Sequence, residues 1–135
     1  MTGAAPRKLK VATTSLAGCF GCHMSLLDID ERILKLVELV DFDRCPINDI
    51  KEISGPVDIG LIEGGCCNEE SVQVLQEFRR HCRVLVSVGD CAINGGVPAL
   101  RNMVPLRECY EEAYLHGPSV DNPEGRVPDD EAIPL

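Results

Sequence analysis

The chain has 135 residues, of which 44% are hydrophobic, enough for one domain with its own core. Its formal net charge of −9 argues against a nucleic-acid partner, because phosphate binding needs a basic face. No stretch reaches the roughly 20 apolar residues of a membrane helix, and the N-terminus has no apolar signal region or twin-arginine pair, so we expect a cytoplasmic protein.

Eight cysteines stand out in this composition. Without a secretory signal, a disulfide framework is not expected, and metal binding or redox chemistry is the better interpretation. The first two cysteines, Cys19 and Cys22, form a C-x-x-C loop between a predicted strand (8–14) and a helix predicted from apolar spacing over 23–40. We expect the free N–H groups at the helix start to favour the thiolate form.

Three further strands are predicted at 40–43, 57–63 and 84–88, with a helix over 69–81 and a shorter helix or helices over 99–115. The strand at 84–88 is nearly all apolar, which predicts a central place in a parallel sheet. The alternation predicts an α/β, flavodoxin-like three-layer fold with a parallel sheet. We divide the chain into an N-terminal extension (1–7), a flavodoxin-like domain (8–116) and a proline-rich, acidic arm (117–135).

In such a sheet, ligands bind beyond the carboxyl ends of the strands. The cysteines that directly follow predicted strands are Cys19, Cys22, Cys66, Cys67 and Cys91. They should therefore converge on one edge of the sheet. Glycines around Cys91 let the backbone approach a bulky cofactor. Adjacent cysteines point to opposite sides, so at most one of Cys66 and Cys67 should face the site.

The remaining candidates are weaker. Cys45 is predicted to be structural, and Cys82 and Cys109 to be inert. Glu63 ends a strand at the site edge, where a half-buried carboxylate could carry protons and a solvated one would have no role. The three histidines share no spacing and are predicted to be surface residues: His23, His81 and His116.

Three functions remain open on the residues alone. One is a thioredoxin-like thiol–disulfide oxidoreductase that uses Cys19 and Cys22. Another is a zinc-stabilised binding module with four N or S ligands. The third is an iron–sulfur protein, which needs four cysteines on well-separated loops. Cys91, on the same edge, favours a site of three or four ligands over a simple dithiol.

Taken together, these motifs resemble the small subunit of nickel–iron hydrogenases. The segments that carry the resemblance are Cys19-x-x-Cys22, Glu63-Gly64-Gly65 and the glycine-rich stretch 89–98. Segments 24–32 and 97–102 are similar to the cytoplasmic, NAD-linked soluble hydrogenases within that family. The resemblance covers about residues 8–116.

The resemblance implies one [4Fe–4S] cluster bound by Cys19, Cys22 and Cys91, with Gly21 and Gly95 beside the cofactor. It implies an electron-transfer subunit of an oxidoreductase that is not catalytic alone. Its implied partners are a large subunit with a Ni–Fe centre and iron–sulfur/flavin diaphorase subunits that hold FMN and NAD(P). The family's fourth ligand lies in a later Gly-Cys-Pro-Pro segment that this sequence lacks. We therefore expect a shortened chain, or Cys66 or Cys67 as a substitute ligand.

Overall fold

Four parallel strands form one sheet in a computed structural model, which describes residues 7–128 and 132–135. The strands in chain order are β1 (Leu9–Ser15), β2 (Val40–Phe42), β3 (Val57–Glu63) and β4 (Cys82–Val88). Their order across the sheet is β2-β1-β3-β4. The α/β fold and the parallel sheet predicted from sequence are thereby confirmed.

The helix predicted over 69–81 is confirmed, and the other predicted helical ranges contain shorter elements. The α-helices are α1 (Gly21–Leu27), α2 (Arg32–Leu39), α3 (Glu69–His81), α4 (Asp90–Asn94) and α5 (Leu106–Tyr110). A 3-10 helix (Pro98–Met103) precedes α5 and a π-helix (Glu111–His116) follows it. Of the two alternatives for 99–115, one helix or several, the structure has several, as three consecutive short elements.

The single helix predicted over 23–40 was wrong, because the chain breaks between α1 and α2. Asp28 caps the end of α1, and Asp30 has a left-handed backbone with φ of 59°. Aspartate tolerates this conformation and competes with helical hydrogen bonds through its short polar side chain. Because the apolar spacing continues through this break, it gave no indication that the helix is interrupted.

Helices cover the two faces of the sheet, giving three layers. On one face Phe78 of α3 is fully buried against Ala12 and Ile62, with Val57 and Cys82 completing the core cluster. On the other face α1 lies over β1 and β3, where Leu26 shares a cavity with Thr13 and Leu61. The cavity has a volume of about 240 Å³.

Strand β4 lies at the edge of the described sheet, whereas the sequence predicted a central position. Val84 and Val86 are exposed on the face that they share with Leu61 of β3. An apolar run predicts that a strand is buried, but it does not identify the element that would cover the strand.

The parallel register brings the carboxyl ends of three strands level. Ser15 of β1 pairs with Glu63 of β3, and Glu63 pairs with Val88 of β4. The loops that follow these strands therefore start from one edge. This is the edge at which the sequence predicted the cysteines to meet.

The last residues of the chain return to this edge. The Ile133 N–H donates to the Cys67 carbonyl at 2.8 Å, and Ala132 bridges to Asn68. Asn102 exchanges two hydrogen bonds with the backbone of Leu135. The domain divisions at 7/8 and 116/117 stay predictions, since residues 1–6 and 129–131 lie outside the described part of the chain.

The Gly60→Ala substitution should lower the free energy of unfolding by about 1–3 kcal/mol through overpacking. A Cβ at Gly60 would lie 2.5 Å from Cys82 Sγ and 2.9 Å from Leu85 Cδ1, inside the core. Urea unfolding followed by circular dichroism measures the change.

The same substitution in a Cys82→Ala background provides the control. Removing the sulfur makes room for the new methyl group, so the cost of Gly60→Ala should be smaller there. An equal cost in both backgrounds would show that the contact with Cys82 is not the cause.

Candidate metal centre

The C-x-x-C loop is held in an unusual backbone conformation. Phe20, between the two cysteines, has φ of 65°, in the left-handed region that non-glycine residues rarely adopt. Helix α1 begins at the next residue, Gly21, where a Cβ would lie 3.1 Å from Cys19 Sγ. Cys19 is exposed and Cys22 is half-buried. The loop therefore presents one thiol outward and the other toward the domain.

The loops after β1 and β3 are joined to each other by backbone hydrogen bonds. Ala17 and Gly65 exchange two N–H···O bonds of 2.9 and 2.7 Å. Gly64 has φ of 82°, and a Cβ there would lie 2.8 Å from the Leu16 carbonyl carbon. Glycine is required at this crossing because the two backbones pass so closely. This contact fixes where the C-x-x-C loop begins.

The loop after β4 meets the C-x-x-C loop at Cys22. A Cβ on Gly89, which has φ of 83°, would overlap the Cys22 Sγ atom. Cys91 follows two residues later, in the first turn of α4. The structure thus brings Cys22 against the Gly89–Cys91 loop, as the strand-end argument predicted.

Burial raises the pKa of the Cys22 thiol, and a hydrogen bond with Glu63 and the charges of Glu63, Cys19 and Cys91 raise it further. We expected the helix start to favour the thiolate, and this direction is the opposite. Helix α1 has only seven residues, and burial together with the Glu63 carboxylate next to Cys22 outweighs its weak dipole.

The adjacent cysteines Cys66 and Cys67 face different spaces. Cys66 lines a cavity of about 210 Å³ together with Cys91 and Gly95. Cys67 lines another cavity, of about 340 Å³, and its sulfur lies 4.0 Å from the Ser71 hydroxyl. Burial raises the pKa of the Cys66 thiol, and the charge of Cys67 adds to the effect. Only Cys66 shares a space with Cys91.

Glu63 is buried, with 3% of its surface exposed. Its Oε2 accepts the Cys22 N–H at 2.9 Å, and its Oε1 lies 2.7 Å from His23 Nδ1. Burial alone raises the pKa of Glu63, but hydrogen bonds from His23, Ser15 and Cys22, with the charge of His23, bring it below its ordinary value. Glu63 is therefore a buried carboxylate that contacts a predicted ligand.

His23 is buried, with 5% of its surface exposed, so the predicted surface position was wrong. Its Nε2 lies 2.8 Å from Thr13 Oγ1, and the Thr13 hydroxyl donates to Cys45 Sγ at 3.1 Å. Thr13 could have indicated from the sequence that His23 is buried, because a polar residue in a central strand requires a buried hydrogen-bond partner. Spacing among the histidines carried no information about that partner.

The other cysteines lie away from the strand-end edge. Cys45 is buried beneath Thr13, and Cys82 is part of the core behind β3. Burial raises the pKa of the Cys82 thiol, although Arg79 opposes this effect. Cys109 lies on α5 and is half-buried.

The donor set at this edge is soft and all-sulfur. In the described residues, no group of three or more His, Cys, Asp or Glu side chains could hold a single metal ion. Cys19, Cys22 and Cys91 are close enough for their charges to interact, yet they do not converge on one point. Separated thiols around an open space fit a polynuclear iron–sulfur group better than one zinc ion.

Comparison with known proteins adds an independent observation. Residues 19–134 match the family described as NADH ubiquinone oxidoreductase, 20 Kd subunit. The NAD-reducing hydrogenase HoxS subunit delta of Cupriavidus necator is 50% identical over 109 residues, 81% of this chain and 52% of that protein. A subunit of the F420-non-reducing hydrogenase of Methanothermobacter thermautotrophicus is 38% identical over 126 residues, 92% of this chain and 41% of that protein.

A solved structure is also similar. The crystal structure of NAD+-reducing [NiFe]-hydrogenase in the H2-reduced state matches with a TM-score of 0.86 and 50% identity, covering 96% of this chain and 72% of that one. The chain spans about half the length of the curated relatives it matches. Among its described residues, no helix is long and apolar enough to cross a membrane.

The Gly89→Ala substitution should displace the Cys22 sulfur, because the added methyl group would overlap it. We expect less metal bound per chain, since ligand direction is lost, together with a lower thermal unfolding temperature. Metal analysis by mass spectrometry and differential scanning calorimetry measure the two effects.

Gly125→Ala serves as the matched control. Gly125 also has a left-handed backbone, with φ of 62°, but nothing lies within 4 Å of an added Cβ. Equal metal loss in both variants would mean that backbone strain, and not the contact with Cys22, is responsible.

Proposed function

The chain belongs to the family of the 20 kDa subunit of NADH ubiquinone oxidoreductase, and from that premise we propose that it is the electron-transfer small subunit of a nickel–iron hydrogenase. The proposed cofactor is a [4Fe–4S] cluster at the carboxyl edge of the sheet. Similarity to hydrogenase subunits of bacteria and archaea supports the hydrogenase assignment.

The observation that carries this proposal is the close approach of two distant loops that together carry three cysteines. Cys19 and Cys22 come from the loop after β1, and Cys91 comes from the loop after β4. The Gly89 backbone, two residues before Cys91, lies directly against the Cys22 sulfur, which supports the proximity of the two loops. We assign these three as cluster ligands, with Gly21 and Gly95 leaving room beside them.

When bound, a [4Fe–4S] cluster supplies single-electron oxidation and reduction. The task of this chain is to hold the group, direct the thiols and limit water access. The crossing of the loops at Gly64 and Gly65 fixes the first ligand loop, and Gly89 leaves space for the Cys22 sulfur. Within the present sequence, Cys66 is better placed than Cys67 as a fourth ligand, because it shares a cavity with Cys91.

The proposed partners are a large subunit with the Ni–Fe centre and diaphorase subunits that carry iron–sulfur clusters, FMN and NAD(P), in a cytoplasmic complex. Apolar side chains just beyond Cys91 support a docking role. Val97, Leu100 and Met103 are exposed by 76%, 60% and 81%. Neighbouring exposed apolar residues of this kind favour burial against another protein.

Proton transfer by Glu63 is a further part of the proposal. The carboxylate lies beside Cys22, so a proton held there would be next to the ligand loop. It is buried and bonded to His23, which excludes the solvated-loop interpretation.

The two rival functions have weaker support. A thiol–disulfide oxidoreductase would use Cys19 and Cys22 alone, and it gives no role to Cys91 in the neighbouring loop. A zinc module needs four ligands around one ion, and the described residues contain no such group.

The ligand assignment predicts different results for five single substitutions. Cys19→Ala, Cys22→Ala and Cys91→Ala should each abolish cluster assembly, because each removes one thiolate ligand. Cys82→Ala and Cys109→Ala should retain it, because neither lies at the strand-end edge. Iron and acid-labile sulfide per chain are measured after anaerobic purification.

Full iron content in the Cys91→Ala protein would contradict the assignment. A protein that contains zinc in place of iron and sulfide would support the zinc module. A colourless, metal-free protein with a reversible Cys19–Cys22 disulfide would support the oxidoreductase.

A further inference from the structure

His23 occupies the centre of a buried group of contacts behind the C-x-x-C loop. It directly follows Cys22 in helix α1, yet its ring points into the domain, toward β1 and β3. Three different side chains contact the ring, and each belongs to a different part of the chain. His23 therefore connects helix α1 to the paired strands β1 and β3 through side-chain contacts.

The first contact leads to the backbone of Cys22. His23 Nδ1 lies 2.7 Å from Glu63 Oε1, and the other carboxylate oxygen accepts the Cys22 N–H at 2.9 Å. A carboxylate accepts hydrogen bonds from both sides without donating any. Glu63 therefore transmits the position of the His23 ring to the Cys22 amide.

The second contact fixes the ring from the side of strand β1. Thr13 is 1% exposed in the central strand β1, and its hydroxyl donates to Cys45 Sγ at 3.1 Å. The Thr13 oxygen also lies 2.8 Å from His23 Nε2. Each ring nitrogen therefore has one hydrogen-bond partner, Glu63 on one side and Thr13 on the other.

The third contact is with the residue between the two cysteines. The rings of Phe20 and His23 are stacked, with centroids 4.6 Å apart and planes inclined by 1°. Phe20 has a left-handed backbone, which is unfavourable for any residue with a side chain of this size. The stacking contact opposes relaxation of that backbone toward an ordinary conformation.

We propose that His23, held by Thr13, is a positioning residue for Cys22: it fixes the ligand loop through Glu63 on one side and through Phe20 on the other. This inference rests on the proposed function, since it takes Cys22 to be a cluster ligand. It adds that His23 and Thr13, which lie behind the ligand loop, influence how tightly and in what environment a cluster is held. Groups behind metal ligands commonly have this effect.

The test compares Thr13→Val, which replaces the hydroxyl by a methyl group, with Thr13→Ser, which keeps the hydroxyl. The protein is purified anaerobically with whatever subunits accompany it. Three quantities are measured: the electron paramagnetic resonance spectrum of the reduced protein, the midpoint potential, and the rate of iron transfer to a chelator. Thr13→Val should change the spectrum and the midpoint potential and should speed iron loss about 10-fold or more. Thr13→Ser should keep all three quantities at the values of the unmodified protein.

Thr14→Val is the matched control for stability. Thr14 is the next residue of β1, is also buried, and faces the cavity on the opposite side of the sheet. It should lower the thermal unfolding temperature without altering the spectrum, the potential or the rate of iron loss. His23→Phe, which keeps the stacking and removes both hydrogen bonds, should alter the same three quantities as Thr13→Val.

The outcomes separate this inference from the proposed function. An unmodified protein without an iron–sulfur signal overturns both. A normal signal in the unmodified protein that Thr13→Val leaves unchanged overturns the positioning role alone. Equal changes in Thr13→Val and Thr14→Val also overturn it, because they indicate a general loss of stability.

Discussion

The parallel register of β1, β3 and β4 is the constraint on which the site depends. Ser15, Glu63 and Val88 lie side by side in the sheet, so the loops that follow them start from one line. Cysteines that are 69 positions apart in sequence, Cys22 and Cys91, reach the same edge for this reason alone. A shift of the register by one residue would turn Glu63 toward the α3 face and separate it from His23.

A buried carboxylate–imidazole pair, Glu63 and His23, lies directly behind this edge. Both side chains lose hydration in the protein interior. Their mutual attraction offsets that loss only when further hydrogen bonds complete the geometry. Glu63 and His23 meet that condition through Cys22, Ser15 and Thr13. Among the described residues, no buried side-chain nitrogen or oxygen lacks a partner. The interior of the domain is therefore organised around the ligand loop as well as around apolar packing.

Much of the fold could be predicted from sequence. The strands were predicted to within two residues at either end, because short apolar runs bounded by glycine and proline are a local signal. The resemblance to the small subunit of nickel–iron hydrogenases is confirmed by the match to the structure of an NAD+-reducing [NiFe]-hydrogenase. The assignment of Cys19, Cys22 and Cys91 as ligands, and of proton transfer to Glu63, stays a prediction.

What sequence could not reveal depends on contacts between distant residues. The burial of His23 depends on Thr13 and Glu63, which lie 10 and 40 positions away. The edge position of β4 depends on which strand pairs with it, and the break at Asp30 depends on a backbone conformation that apolar spacing does not report. Local patterns identify elements, whereas these features arise from how the elements are assembled.

The ligand set can be tested by anomalous diffraction at the iron absorption edge, from crystals grown anaerobically. Iron peaks are expected at the carboxyl edge of the sheet, bonded to the sulfurs of Cys19, Cys22 and Cys91. Iron that is not bonded to these three sulfurs, or an anomalous signal that appears only at the zinc edge, would contradict the assignment.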